Sequence, residues 1–168
     1  MRQFQLSDTK YSFSLDMTAL RRLDQLRPGM DMGSLRELAE TTAGLLDLCQ
    51  AMTGENSDKL AILIIKKLNA LPDLRETLLK EIADGLRVET TEGDTNREVD
   101  VTLEQLMANE AGGRLTYRRL TFMGLLAGLS FEEMGPLMPG MVCDLYAYRM
   151  KYDDEQHGIK RKQREIYD

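Results

Sequence analysis

Ser34-Leu35-Arg36-Glu37-Leu38-Ala39-Glu40-Thr41-Thr42-Ala43-Gly44-Leu45-Leu46-Asp47-Leu48-Cys49-Gln50-Ala51-Met52-Thr53-Gly54 decides the fold class. Leu35, Leu38, Thr42, Leu45, Cys49 and Met52, all apolar but the threonine, recur at alternating intervals of three and four, the repeat of one helix face. Ser34 with Glu37 three residues on fits a capping box, in which each side chain satisfies an orphan amide of the first turn. Thr53-Gly54 fits a helix stop, because glycine enters the left-handed conformation without a steric penalty. The spacing predicts one continuous helix between these signals.

Further helices are expected on either side. Ser57 to Ala70 is apolar on most sides through Leu60-Ala61-Ile62-Leu63-Ile64-Ile65, which predicts a helix central in a bundle. Pro72-Asp73 starts a third helix with Leu74, Leu78, Ile82 and Leu86 inward and Arg75, Glu76, Lys80, Glu81 and Asp84 on its solvent side. Upstream, a short helix after Asp16 or Thr18 carries Leu20, Leu23 and Leu26 and stops at Arg27-Pro28-Gly29. Before it, Phe4-Gln5-Leu6 and Tyr11-Ser12-Phe13-Ser14-Leu15 alternate around the turn Ser7-Asp8-Thr9-Lys10, which predicts a hairpin. A lone hairpin is marginal, so Tyr11, Phe13 and Leu15 must pack on helices.

Residues 87–100 are polar and acidic, with almost no large apolar side chain, and mark a linker or exposed ribbon. Beyond them Thr102 to Gln105 and Ser130 to Glu133 repeat the capping-box pattern, and Leu115 to Leu129 is strongly apolar. The last helix opens at Pro139, suited to a first position because its missing N–H has no intrahelical partner there. Met141, Leu145, Tyr148 and Tyr152 then form one stripe, with Tyr146, Arg149 and Asp153 beside it. Tyrosines and an arginine edging an apolar stripe suit a contact that is dry inside and wet at its rim. Leu145, Tyr146, Tyr148, Arg149 and Tyr152 are the candidate partner-binding residues; the spacing leaves open whether this stripe meets a partner or the body of the chain.

The expected fold is therefore mainly α, a helical bundle with a short N-terminal β-hairpin (1–86), a polar linker (87–100) and a smaller helical C-terminal unit (101–168).

Composition and motifs narrow the function. A net charge of −6 over 168 residues opposes nucleic-acid and anionic-membrane binding, which need clustered Lys and Arg. The basic Lys160-Arg161-Lys162-Gln163-Arg164 end is short, and 115–129 is too apolar to present polar side chains to base edges. Cys49 and Cys143 lack ligand-spaced partners and are expected to be buried free thiols. His157, the one histidine, precedes Gly158 in a polar tail and forms no nucleophile–base set. Asp153-Asp154-Glu155 point around a helix rather than converging on a cation, and Gly112-Gly113-Arg114 lacks the rest of a phosphate loop. No catalytic residue, cofactor or metal is expected. The methionines, among them Met30, Met32, Met107, Met123, Met134, Met138, Met141 and Met150, suit either core filling or an adaptable binding surface.

The hairpin Phe4–Leu15 leading into Met17-Thr18-Ala19-Leu20-Arg21-Arg22-Leu23 and an all-helical region is similar to tail assembly chaperones of long-tailed, siphovirus-like bacteriophages and prophages. Met138-Pro139-Gly140-Met141-Val142-Cys143-Asp144-Leu145-Tyr146-Ala147-Tyr148-Arg149-Met150-Lys151-Tyr152-Asp153 resembles the C-terminal part of small phage tail proteins, where Pro-Gly-x-x-x-Asp-Leu precedes an aromatic, arginine-bearing helix. The resemblance covers both ends and the layout, and 87–100 adds nothing to it. It implies a non-enzymatic protein in the cytoplasm of the infected host, holding the tape measure protein and helping to recruit tail tube subunits. It also implies that residues 1–86 could be a chaperone body and 101–168 a frameshift extension. Self-association stays open. The alternatives are a structural head–tail or tail component retained in the virion and, further off, a small helical DNA-binding regulator.

Overall fold

In the computed structural model, the structure describes residues 2–6, 9–66, 68–88 and 114–156. The predicted alternation forms an antiparallel hairpin, β1 (Arg2–Leu6) and β2 (Thr9–Phe13), with Phe4 opposite Tyr11. Tyr11, Phe13 and Leu15 are buried, as the shared face requires. Among the described residues, helices make up nearly all the remaining regular structure. They are α1 (Met17–Leu26), α2 (Leu35–Glu40), α3 (Thr42–Thr53), α4 (Ser57–Lys66), α5 (Leu71–Gly85), α6 (Tyr117–Leu126), α7 (Phe131–Met134) and α8 (Pro139–Gln156). Short 3-10 turns at Met32–Ser34 and Leu68–Ala70 precede α2 and α5.

The stretch 34–54 is two helices rather than one. Thr41 leaves the helical region at φ −91° and ψ 146°, and its side chain accepts from the Gly44 amide at 3.0 Å, capping α3. A Cβ on Gly44 would lie 2.1 Å from the Leu38 carbonyl oxygen, so the turn closes tightly only because position 44 is glycine. The 3–4 repeat survives the break because both helices bury the same side, Leu35 and Ala39 in α2 and Leu45, Leu48, Cys49 and Met52 in α3. Ser34 makes no side-chain cap; Asp31 caps the 3-10 turn instead. Gly54 ends α3 in the left-handed region, as read from the sequence.

Two further expectations are corrected. α4 is peripheral rather than central: Leu60 and Ile64 are buried, while Ile62 and Ile65 face outward. Glu81 belongs to the inner side of α5, where it is fully buried with Leu74, Leu78 and Ile82. Its Oε1 accepts from the Leu15 amide at 3.3 Å. The chain has left β2 there, so that amide has no strand partner and a buried donor without an acceptor is costly.

One buried cluster runs from β2 through α1, α3 and α5 to Leu115, Leu120, Val142 and Cys143. Backbone bonds join the same parts: Met17 N–H donates to Leu137 O at 2.9 Å, Thr18 N–H to Gly135 O at 3.1 Å, and Met32 N–H to Leu115 O at 2.9 Å. With the Asp16 side chain accepting from the Ala19 amide, the orphan amides of the first turn of α1 all have partners. Of the polar stretch 87–100 only Arg87 and Val88 are described. The linker reading, the helix expected after Thr102, the Gly112-Gly113 turn, His157 and the basic tail lie outside the described residues.

Candidate functional site

α8 begins at Pro139, the first position the sequence assigned to it, and its first turn is locked in place. A Cβ on Gly140 would stand 1.9 Å from the Arg87 carbonyl oxygen, so the helix start lies directly on that backbone. Val142 and Cys143 continue the buried side. Gly124 of α6 takes Val142 and Met134 against it: a Cβ there would meet Met134 Sδ at 2.0 Å and Val142 Cγ1 at 3.4 Å. These two glycines let α8 approach closely, and they fix which of its sides turns out.

That outer side is the apolar stripe. Met141 is 48 % exposed, Leu145 40 %, Tyr148 62 % and Tyr152 47 %. At 100° per residue the stripe lies nearly opposite the centre of the buried side formed by Pro139, Gly140, Val142 and Cys143, so it cannot also pack on the core. Arg149 borders it, donating from Nε to Asp153 at 3.2 Å while its guanidinium sits 5.9 Å from the Tyr152 ring centre. The guanidinium is thereby held over the aromatic end of the stripe. Of the five candidate residues, the fold brings Leu145, Tyr148, Tyr152 and Arg149 together on this exposed face. Tyr146 is placed differently, half-buried one turn beyond Val142 and Cys143 on the inner side.

The strongly apolar stretch before α8 holds exposed residues that sequence reading passed over. Only Leu120 and Gly124 of α6 are buried, while Phe122, Leu125 and Leu126 form an outward face and Phe131 of α7 is 65 % exposed. Their signal was present in the 122–125–126 spacing, but aliphatic residues on all sides of 115–129 hid which face was surplus. α7 does carry the capping box its sequence announced. Ser130 accepts from the Glu133 amide at 3.2 Å, and Glu133 accepts from the Ser130 amide at 2.8 Å. Those bonds to Ser130 hold the Glu133 carboxyl below its ordinary range.

Reactive chemistry is not gathered at this face. Cys49 and Cys143 are free and buried, and burial pushes each thiol up to about 12. Among the described residues no group of His, Cys, Asp and Glu is placed to hold a metal ion. No described helix is long and apolar enough to cross a membrane. Comparison with protein-family models, curated proteins and solved structures gives no match.

Proposed function

We propose that this chain is a non-catalytic tail assembly chaperone of a long-tailed phage or prophage. It covers an apolar helical segment of the tape measure protein in the infected cell and helps to recruit tail tube subunits. The observation that carries the reading is the stripe Met141–Leu145–Tyr148–Tyr152, exposed among the described residues and set outward by the buried Gly140 and Val142 side of α8. An exposed run of large apolar side chains rimmed by polar groups marks an interaction surface. Tyrosine and arginine anchors beside leucine suit a groove-like contact with another helix. The resemblance at the hairpin and at the Pro139-Gly140 to Asp144-Leu145 run supports the tail-assembly assignment. The net charge of −6 supports a carrier that stays dispersed while holding an aggregation-prone partner.

Co-expression tests it. The tape measure protein should remain in the supernatant with the wild-type chain and precipitate without it. Tyr148→Ala or Arg149→Ala should weaken the complex by roughly 1–3 kcal/mol in a pull-down titration. A tape measure protein that stays insoluble beside the wild-type chain, or this chain found in abundance in finished particles, would overturn the reading.

A further inference from the structure

α1, α6 and α7 enclose a cavity of about 60 Å³ that opens to solvent beside the exposed ring of Phe131. Met17 and Met134, 3 % and 2 % exposed, lie at its base, and Tyr117, Thr121 and Phe131 wall it. The walls are fixed without a ligand. Both the amide and the hydroxyl of Thr18 donate to Gly135 O, at 3.1 and 3.0 Å, tying α1 to the end of α7. Thr121 donates its hydroxyl proton to Tyr117 O at 2.9 Å. Both threonine protons are thus committed within the protein. Among the described residues two lining donors remain, the Tyr117 hydroxyl and the guanidinium of exposed Arg21, and of these only Arg21 carries a charge. Exposed Arg118 follows the wall residue Tyr117 and lies one helical turn from Thr121, adding positive charge to that side. Among the described residues no acidic side chain lines the cavity; on α7, Glu133 is bound to Ser130, and exposed Glu132 is outside the lining.

Size and charge together select an occupant. A 60 Å³ space takes the end of a branched aliphatic side chain, whereas a cavity that accommodates a benzene ring is about 150 Å³. A guanidinium with free donors is matched best by a carboxylate, which it can bind bidentately. We propose that this cavity is a docking site for a partner peptide that inserts one branched aliphatic side chain and places an adjacent Asp or Glu carboxylate on Arg21. The thioether floor accepts the aliphatic group with little shape penalty, because methionine adapts to its neighbour. The site is separate from the α8 stripe and does not depend on the tail-assembly reading.

The test uses the full chain with ¹³C-methyl-labelled methionine and the probe peptide acetyl-Leu-Glu-amide. The Met17 and Met134 methyl signals should shift saturably at about millimolar peptide, the affinity range of so small a ligand. The exposed Met141 methyl should stay in place. The neutral acetyl-Leu-Gln-amide, and acetyl-Ala-Glu-amide lacking the branched group, should each bind about fivefold or more weakly. Arg21→Gln should show the same loss with an unchanged circular dichroism spectrum, and Arg21→Lys should retain most of the binding. Equal binding of the charged and neutral peptides, or of wild type and Arg21→Gln, would overturn the proposal. So would absence of saturation at the two buried methionines.

Discussion

Residues 2–88 and 114–156 treat apolar side chains in opposite ways. Among the described residues, the first region buries twenty apolar side chains and exposes four large ones, Leu26, Ile62, Ile65 and Leu68; the second buries five and exposes eight. Each apolar area left in water forgoes about 25 cal/mol per Å² of stabilisation. The first region therefore provides most of the core, and the second is docked on that core by a few contacts, Leu115, Leu120, Val142 and Cys143, while presenting the rest outward. The difference teaches that helical periodicity alone does not distinguish a core stripe from a contact stripe. Leu74–Leu78–Ile82 and Leu145–Tyr148–Tyr152 have comparable spacing and opposite exposure.

The comparison would break first at the centre of the core. Leu48→Ala, at a fully buried side chain on α3, should lower unfolding free energy by about 3–5 kcal/mol in urea denaturation. A loss below about 1 kcal/mol would mean that α3 does not anchor the cluster. The docking of the second region is tested next. Gly140→Ala must displace the Arg87 backbone from α8, and should cost about 1–3 kcal/mol by the same measurement. An unchanged midpoint would remove the close approach that orients the stripe.

A smaller effect comes from pH. The folded-state pKa of each buried thiol is raised from 9.0 to about 12, so the native state keeps a proton that the unfolded chain releases. The stabilisation is complete below pH 9 and is lost as pH rises toward 12, by about 1 kcal/mol per thiol at pH 10. The double variant Cys49→Ala, Cys143→Ala should show a correspondingly shallower decline between pH 8 and 10 when its unfolding is compared with wild type. An identical decline would place both thiols in water. The smallest effect sharpens the contrast: Tyr148→Ala should change thermal stability by no more than about 0.5 kcal/mol, because that ring is 62 % exposed. A loss comparable with Leu48→Ala would turn the stripe into core.

The hairpin, the helical class, a helix start at Asp16 or Thr18, the Ser130 cap, the Gly54 stop and the Pro139 start were legible because each rests on chemistry between residues near one another in sequence. The break at Thr41 was not, because two helices burying one side keep the period of a single helix. The burial of Glu81 depends on the Leu15 amide, 66 positions away, and no local pattern carries that demand. At the candidate site, the stripe residues were readable as a set. Their exposure was set by the contacts of Gly124 and Gly140 with distant partners, and so was the half-buried place of Tyr146.

The bonds from the first turn of α1 to Gly135 and Leu137 carry a kinetic consequence. Thr18 and Gly135 are 117 positions apart, so during synthesis at about 5–20 residues per second the Thr18 amide and hydroxyl wait roughly 6–23 s for their acceptor. Until then the Met17 and Thr18 amides have only water or transient partners, while the Ala19 amide already has Asp16. Contacts this distant in sequence slow folding, since the chain must close a long loop before the bond repays the lost entropy. Nascent chains should consequently pass through a stage in which β2, α1, α3 and α5 can already pack together while the first turn of α1 still lacks its distant acceptors. Final consolidation of the first turn of α1 then belongs among the last events of maturation.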